Sequence, residues 1–439
     1  MRSEHRRVKG HQEPAVRRLL ATTFQSLTVR NFKLFAAGQL VSVAGTWMMV
    51  VAQDWLVLSM TGDSGTALGV VTACQFAPLL LLTLWAGGLA DRHDKRRLLV
   101  AANLAAGVLA LMLALLVLAG AAALWHVYLF ALALGTVNAV EVPTRMSFVS
   151  ELVGGELLPN ASALSAAYFN TARVAGPALA GLLIGWWGTG PVMLLNAVSF
   201  LATVLGLLLI RPAELHRGRT RPDRAGVGEG IRYMLARRDL LLPMALVAVV
   251  GMLGFNFQLT LPLLAKTVFH TDAAAFGLLT TSLAAGSLVA AFATTARRSR
   301  PRAALVIGSA AGFGTLEALS GLAPGYGAAV VLLFLTGFGS IWFAQAANHH
   351  IQLGTDPAYR GRVMALYTLV FQGTTPLGAL LTGAVSEAYG ARLGLVLGGV
   401  SSVLAALAVL AAHLRRRGTT RTAPPPAAGQ ETVRGGSRS

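Results

Sequence analysis

Long apolar runs alternate with short polar breaks along most of this chain. A helix rises about 1.5 Å per residue, so about 20 mostly apolar residues cross a hydrocarbon core. Runs of that length fall at roughly 33–59, 66–89, 98–120, 125–148, 162–186, 191–210, 240–265, 275–296, 303–323, 327–348, 362–388 and 392–413. The pattern predicts an all-α integral membrane protein of about twelve spans. The longest polar interval, 211–239, divides the spans six and six. Within it, Ile231, Met234 and Leu235 share one helical face, which predicts an amphipathic helix lying on the inner membrane surface. The expected organisation is a tail over 1–30, a six-helix bundle over 31–210, a linker over 211–239, a second bundle over 240–414 and a tail over 415–439.

Composition agrees with lipid as the main solvent. Of 439 residues, 55% are hydrophobic and 12% charged, against about 25% charged in soluble domains. The net charge is +18, but the basic residues cluster in short loops. Loops after even-numbered spans are basic: Arg92, Lys95, Arg96 and Arg97, then Arg211 to Arg238, then Arg297 to Arg302, then Arg360 and Arg362. Loops after odd-numbered spans hold only Lys266 and Arg392. This asymmetry predicts both termini in the cytoplasm. No aromatic-interleaved basic patch is present, so no nucleic-acid partner is expected. Cys74 is the one cysteine and lies in an apolar run, where a small buried side chain is the expected role. Residues 1–30 lack the apolar stretch of a signal peptide and read as a cytoplasmic tail. The 415–439 stretch, with Pro424-Pro425-Pro426, reads as disordered.

The two halves carry a faint repeat. Span five reads Tyr168, Arg173, Pro177; span eleven reads Tyr367, Gln372, Pro376, with the same spacings. Internal repeats with a binding site between them are a feature of secondary transporters.

Span two ends Gly87-Gly88-Leu89-Ala90-Asp91-Arg92-His93-Asp94-Lys95-Arg96-Arg97. This stretch resembles the signature of the major facilitator superfamily between spans two and three. Asp94 stands where the family usually has glycine. The resemblance implies a twelve-helix fold of two six-helix bundles related by pseudo-twofold symmetry. It also implies that Gly87, Asp91, Arg92 and Arg96 latch the halves together, meeting Arg360 and Arg362 at the start of span eleven. The alternative is that the basic cluster only anchors topology. Gly176-Pro177-Ala178-Leu179-Ala180-Gly181 looks like a degenerate form of the Gly-Pro motif of proton-coupled exporters, with Gly176, Pro177 and Gly181 as a kink and packing element. Arg360-Gly361-Arg362 through Gly373-Thr374-Thr375-Pro376, with Leu158-Pro159-Asn160-Ala161, resembles the branch of drug:proton antiporters that holds the enterobactin and macrolide exporters. That resemblance runs over roughly 30–413. It implies a monomer that exports a small molecule by proton-coupled antiport from a bacterial plasma membrane.

Ionisable groups inside a span cost about 2.5–3.5 kcal/mol each on insertion scales, so each calls for a role. Arg173 lies mid-span and needs an anion or water; Glu141 is the nearest acid by depth, and an Arg173–Glu141 pair lining the cavity is expected. Glu141 and Arg145 are four residues apart across Pro143, and Arg145 can also snorkel to the surface. Asp54 in span one is a candidate for a cationic cargo or a proton, against a solvated carboxylate at the outer mouth. Glu317 in span nine reads as structural. Asn256, Gln258, Gln345 and Gln372 can hydrogen-bond a ligand or a neighbouring helix. The adjacent His349 and His350 point apart, so no metal site is expected. No P-loop and no hydrolase signature occur, so neither ATP, another cofactor nor enzymatic chemistry is expected. An ion gradient, with protons as the coupling ion, is the remaining drive. An importer, a lysolipid flippase and a non-transporting sensor are the other readings.

Overall fold

The computed structural model describes residues 24–216, 227–294 and 299–421. These are helical almost throughout, with no strand among the described residues. Eleven of the described helices are long and apolar enough to cross a membrane, and one of them, Leu124–Trp187, is interrupted at Gly154, which gives twelve spans. In chain order the helices are α1 (Arg30–Thr61), α2 (Gly65–Arg92), α3 (Lys95–Leu118), α4 (124–153), α5 (155–187), α6 (Thr189–Leu208), the short α7 (Val227–Ala236), α8 (Arg238–Val268), α9 (Ala273–Thr294), α10 (Ala303–Gly321), α11 (Tyr326–Gly354), α12 (Arg360–Tyr389) and α13 (Ala391–Arg421).

Several ends differ from the apolar pattern. Residues 149–161, expected to be a loop, are helical except at Gly154, because Val149, Leu152, Val153 and Ala161 are buried in the first bundle's core. Gly154 has φ 72° and ψ 179°, a region essentially closed to residues with a Cβ. The His216 ring lies over it, 3.2 Å from where a Cβ would stand, and the His216 N–H donates to the Glu151 carbonyl at 2.8 Å. The last helix runs on to Arg421, past the expected boundary at 414. Of the expected N-terminal tail, 24–29 holds a short helix at Gln25–Thr28 whose buried Ser26 donates its N–H to Asn160 at 2.9 Å, so this part packs on the first bundle; residues 1–23 and 422–439 lie outside the described residues. Asp94, at the position where the family has glycine, has an ordinary φ of −64° and accepts the Arg97 N–H at 3.0 Å, capping α3.

Within each half, small residues let backbones approach. In the first half α1 meets α6 at Gly38 and α5 at Gly176, and α2 meets α4 at Gly135. In the second, α9 and α11 meet at Gly286 and Gly337, α10 and α13 at Gly314 and Gly399, and α8 and α12 at Gly378. Two helix pairs cross between the halves. α2 packs on α12, with Gly65 and Gly69 against Gly383 and Ala379; α5 packs on α9, with Gly181 against Ala273 and Gly277 against Pro177. A six-and-six repeat carries α2 onto α9 and α12 onto α5, so each seam is the pseudo-symmetric mate of the other. Both seams lie toward the end of the molecule that is poor in Lys and Arg.

Two spans of the second half are irregular. α8 contains π-helical turns at Val250–Gly254 and Leu264–Val268, with Phe255 and Asn256 out of helical geometry between them. α12 is interrupted at Thr374 and restarts with Pro376 in its first turn.

Candidate functional site

A cavity of about 310 Å³ lies between the halves. α1 contributes Gln39, Ser42, Thr46 and Trp47; α2 contributes Gln75; α4 contributes Asn138, Glu141 and Arg145. The second half reaches it through Gln258 of α8 and Gln372 of α12. The Gln258 amide donates to the Gln75 carbonyl oxygen at 3.3 Å, one hydrogen bond from half to half.

The charged wall differs from the expected pair. Glu141 accepts from Arg145 Nε at 3.0 and 3.3 Å, one turn along the same helix. Pro143 between them does not break α4, which stays helical there. Arg173 does not reach Glu141. Its guanidinium lies 5.7 Å from the centre of the Trp47 ring, and no carboxylate is within ion-pair reach of it among the described residues. The local i,i+4 partner takes the carboxylate, and an aromatic face takes the second cation.

Other expected members fall outside the cavity. Asp54 follows the cavity-facing stripe of Thr46 and Val50 by one more turn, but there the halves are closed. Trp55 stacks on Phe276 at 6.2 Å, and Asp54 is 1% exposed with no hydrogen-bond partner for Oδ2. It is therefore buried rather than a solvated group at an open mouth. Asn256 donates to the carbonyls of Met252 and Leu253 at 2.7 and 3.1 Å, serving the irregular part of α8. Gln345 is half-buried on α11 and does not line the cavity. Glu317 is buried against Gly254 and Gly398, inside the second bundle.

Of the expected latch residues, Arg96 and Arg362 are the two with described polar partners, and neither partner lies across the halves; their neighbour Lys95 is likewise engaged. Lys95 pairs with Glu151 at 2.5 Å, and Arg96 donates to the Leu207 and Leu208 carbonyls at 2.6 and 2.9 Å, closing the end of α6. Arg92 is exposed. Arg362 pairs with Glu229 of α7 at 2.7 Å instead of crossing to the first half, and Arg360 is half-buried with Nε unpartnered. The surroundings of Gly87 and the Asp91 side chain lie outside the described residues. The Arg362–Glu229 pair ties the start of α12 to the linker helix α7.

The opposite end holds bonds that sequence reasoning missed. Glu387 accepts from the Ser64 hydroxyl at 2.7 Å and from the Thr66 N–H at 2.9 Å, across 323 and 321 positions of sequence. Lys266 pairs with Asp63 at 2.7 Å and lies 5.5 Å from the Trp55 ring centre. Thr281 donates to the Val174 carbonyl at 3.1 Å. The only advance signal was Lys266, one of two basic residues on that side. Pro177 and Gly181 work at this seam too, while Gly176 packs on Trp47 and Ala44 within the first half. α5 stays helical through Pro177, and the stretch provides close approach: a Cβ at Gly181 would lie 2.6 Å from the Ala273 carbonyl.

Known proteins place this architecture. A family model described as transmembrane secretion effector matches residues 21–430. The staphyloferrin A transporter of Staphylococcus aureus is 25% identical, over 84% of this chain and 93% of that protein. The multidrug efflux pump Tap of Mycolicibacterium fortuitum is 25% identical, over 81% and 89%. Macrolide efflux protein A of Streptococcus pyogenes is 22% identical, over 86% and 94%. Among solved structures, an inward-facing, occupied bacterial homologue of the human lysosomal transporter Spinster superposes with a TM-score of 0.72 at 16% identity, covering 91% of this chain and 99% of that one. The nucleoside transporter NupG superposes with a TM-score of 0.71 at 12% identity, covering 87% and 98%. With its twelve spans, paired seams and central cavity, the chain belongs to the transmembrane secretion effector family of the major facilitator superfamily, multi-pass membrane transporters rather than enzymes.

Proposed function

We propose that this protein exports a small organic molecule by alternating access, driven by a proton gradient, with the Arg-rich end and both termini in the cytoplasm of a bacterial cell. The reading rests most on one observation. The polar cavity between the halves contains a Glu141–Arg145 pair, while the halves are joined by Glu387, Lys266 and two glycine seams at the Arg-poor end. A site sealed on one side is what alternating access requires of each state. Orientation by Lys and Arg makes this state inward-facing. The outward-facing state separates the Ser64–Glu387 seam and brings the Arg-rich ends together.

Export, rather than import, is favoured by the relatives, which include a multidrug efflux pump and a macrolide efflux protein. The two bundles at 31–210 and 240–414 act as the rocking bodies, joined by the 211–239 linker. Glu141 is the coupling group. Neutralised by a proton, it releases Arg145; ionised, it holds Arg145 and leaves the wall net neutral. Gln39, Gln75, Gln258 and Gln372 offer donors and acceptors to an organic cargo beside the apolar faces of Trp47 and Phe169. Cells carrying the protein are expected to accumulate less of such a cargo, and an uncoupler is expected to abolish the difference. Glu141→Gln is expected to leave residual efflux independent of external pH. Efflux that survives uncoupler, and keeps its pH dependence in Glu141→Gln, rejects the coupling scheme.

A further inference from the structure

A second cavity, of about 510 Å³, opens at the Arg-rich end of the second half, away from the central site. It lies between α8, α10, α11 and α13. Its wall is apolar, with Leu242, Leu246, Val306 and Val409, and its mouth carries Arg238, Arg300 and Arg302. The groove spans the depth where α8 and α10 begin and α11 ends, the level at which hydrocarbon gives way to headgroups.

The charges at the mouth are not balanced. Asp239 is its one carboxylate. That group is already held by Arg237, through two bonds of 2.9 Å, and approached by Arg300 at 3.5 Å. Arg300 is fixed further by donating from Nε to the His350 carbonyl at 3.2 Å. The His350 ring is buried, with Nδ1 2.8 Å from the Pro301 carbonyl, so it donates there and keeps Arg300 against the wall. Arg238 and Arg302 are exposed and have no carboxylate in ion-pair reach among the described residues. Two free guanidiniums and one tethered one therefore face an apolar groove.

We propose that this groove binds an anionic glycerophospholipid of the inner leaflet. The phosphate sits between Arg238, Arg300 and Arg302, and an acyl chain lies along Leu246, Val306 and Val409. A free phosphate would leave the apolar wall bare, and a zwitterionic lipid would bring its own cation to an already cationic mouth. Arginine suits the task because its planar fork meets phosphate oxygens in pairs. The bound lipid touches α8, which delivers Gln258 to the cavity, and α13, which does not. It therefore fixes the inner end of α8 relative to the rest of its bundle.

The test is binding of lipid to the purified full-length protein in zwitterionic nanodiscs. Phosphatidylglycerol, phosphatidylcholine and inorganic phosphate are titrated separately and read by native mass spectrometry. Wild type is expected to retain phosphatidylglycerol about tenfold better than phosphatidylcholine and not to be competed by millimolar inorganic phosphate. Arg238→Gln and Arg302→Gln are exposed changes that leave the fold intact, and together are expected to erase most of that preference. Arg232→Gln, on an exposed Arg of α7 outside the groove, is expected to keep it. Equal retention of both lipids by wild type overturns the proposal without any variant. So does an equal loss in Arg232→Gln, which means diffuse surface charge, or full competition by inorganic phosphate, which means an anion site that ignores the acyl chain.

Discussion

The two ends of the seam between the bundles are built in opposite ways. At the Arg-poor end, glycines bring α2 to α12 and α5 to α9, and the polar bonds of Glu387, Lys266 and Thr281 run from half to half. At the Arg-rich end, Lys95, Arg96, Arg237 and Arg362 find partners inside their own half or in the linker. The first end is sealed by close backbone packing, which tolerates no added volume. The second is furnished with long side chains; the more exposed of their pairs, Arg237–Asp239 and Arg362–Glu229, can change partner at little cost, since exposed ion pairs contribute only about 0–1 kcal/mol each. The proposed alternating-access cycle must pull apart the tight end and rebuild the loose one.

That contrast can be broken at four places. The largest effect is expected from Gly277→Leu. Its side chain would enter the Pro177 carbonyl and the Gly181 backbone, and overpacking costs about 1–3 kcal/mol or more. Transport should fall further than in the three variants at Glu141, Glu387 and Arg362 while the protein still reaches the membrane; wild-type flux would mean that the seam is not close-packed. Glu141→Gln comes next. It leaves Arg145 partly buried without its carboxylate, a loss of about 1–3 kcal/mol, visible as a lower melting temperature together with flattened pH dependence of efflux. Glu387→Gln weakens two seam bonds on an exposed residue, about 1 kcal/mol. It should raise labelling of a cysteine placed at Ser64, and unchanged labelling would remove Glu387 from the seal. Arg362→Gln should be the mildest. Its partner Glu229 is 62% exposed, so stability should shift by no more than about 0.5–1 kcal/mol, read by thermal melting.

How much of this was legible before the fold was known depended on whether the signal is local. Span length and Lys/Arg bias are local, and each of the twelve predicted spans falls on a helix. Gly154 was not read as a break inside a helix, because the buried face of 149–161 becomes apolar in purpose only when the first bundle packs on it. The π turns of α8 depend on Asn256 and on contacts from α10 and α13, which no window of sequence contains. In the site, Glu141 and Arg145 could be paired by their spacing on one helix. Pairing Arg173 with Glu141 by depth failed because depth says nothing about which way a side chain faces around the helix. The partner it found, Trp47, is an uncharged ring on another span. Glu387 and Ser64 are remote in sequence and ordinary in composition, so their bond had no sequence signature.

Alternating access through the central cavity is tested most directly by locking the sealed end. In a Cys74→Ala background, Ser64→Cys and Glu387→Cys are joined by a short reducible thiol cross-linker. Flux of a macrolide, a carboxylate siderophore and a cationic dye is then followed in proteoliposomes under a pH gradient. At least one cargo is expected to move before cross-linking, to stop when the ends are joined, and to move again after reduction. Transport that continues at the same rate while Ser64→Cys and Glu387→Cys remain linked would contradict the account.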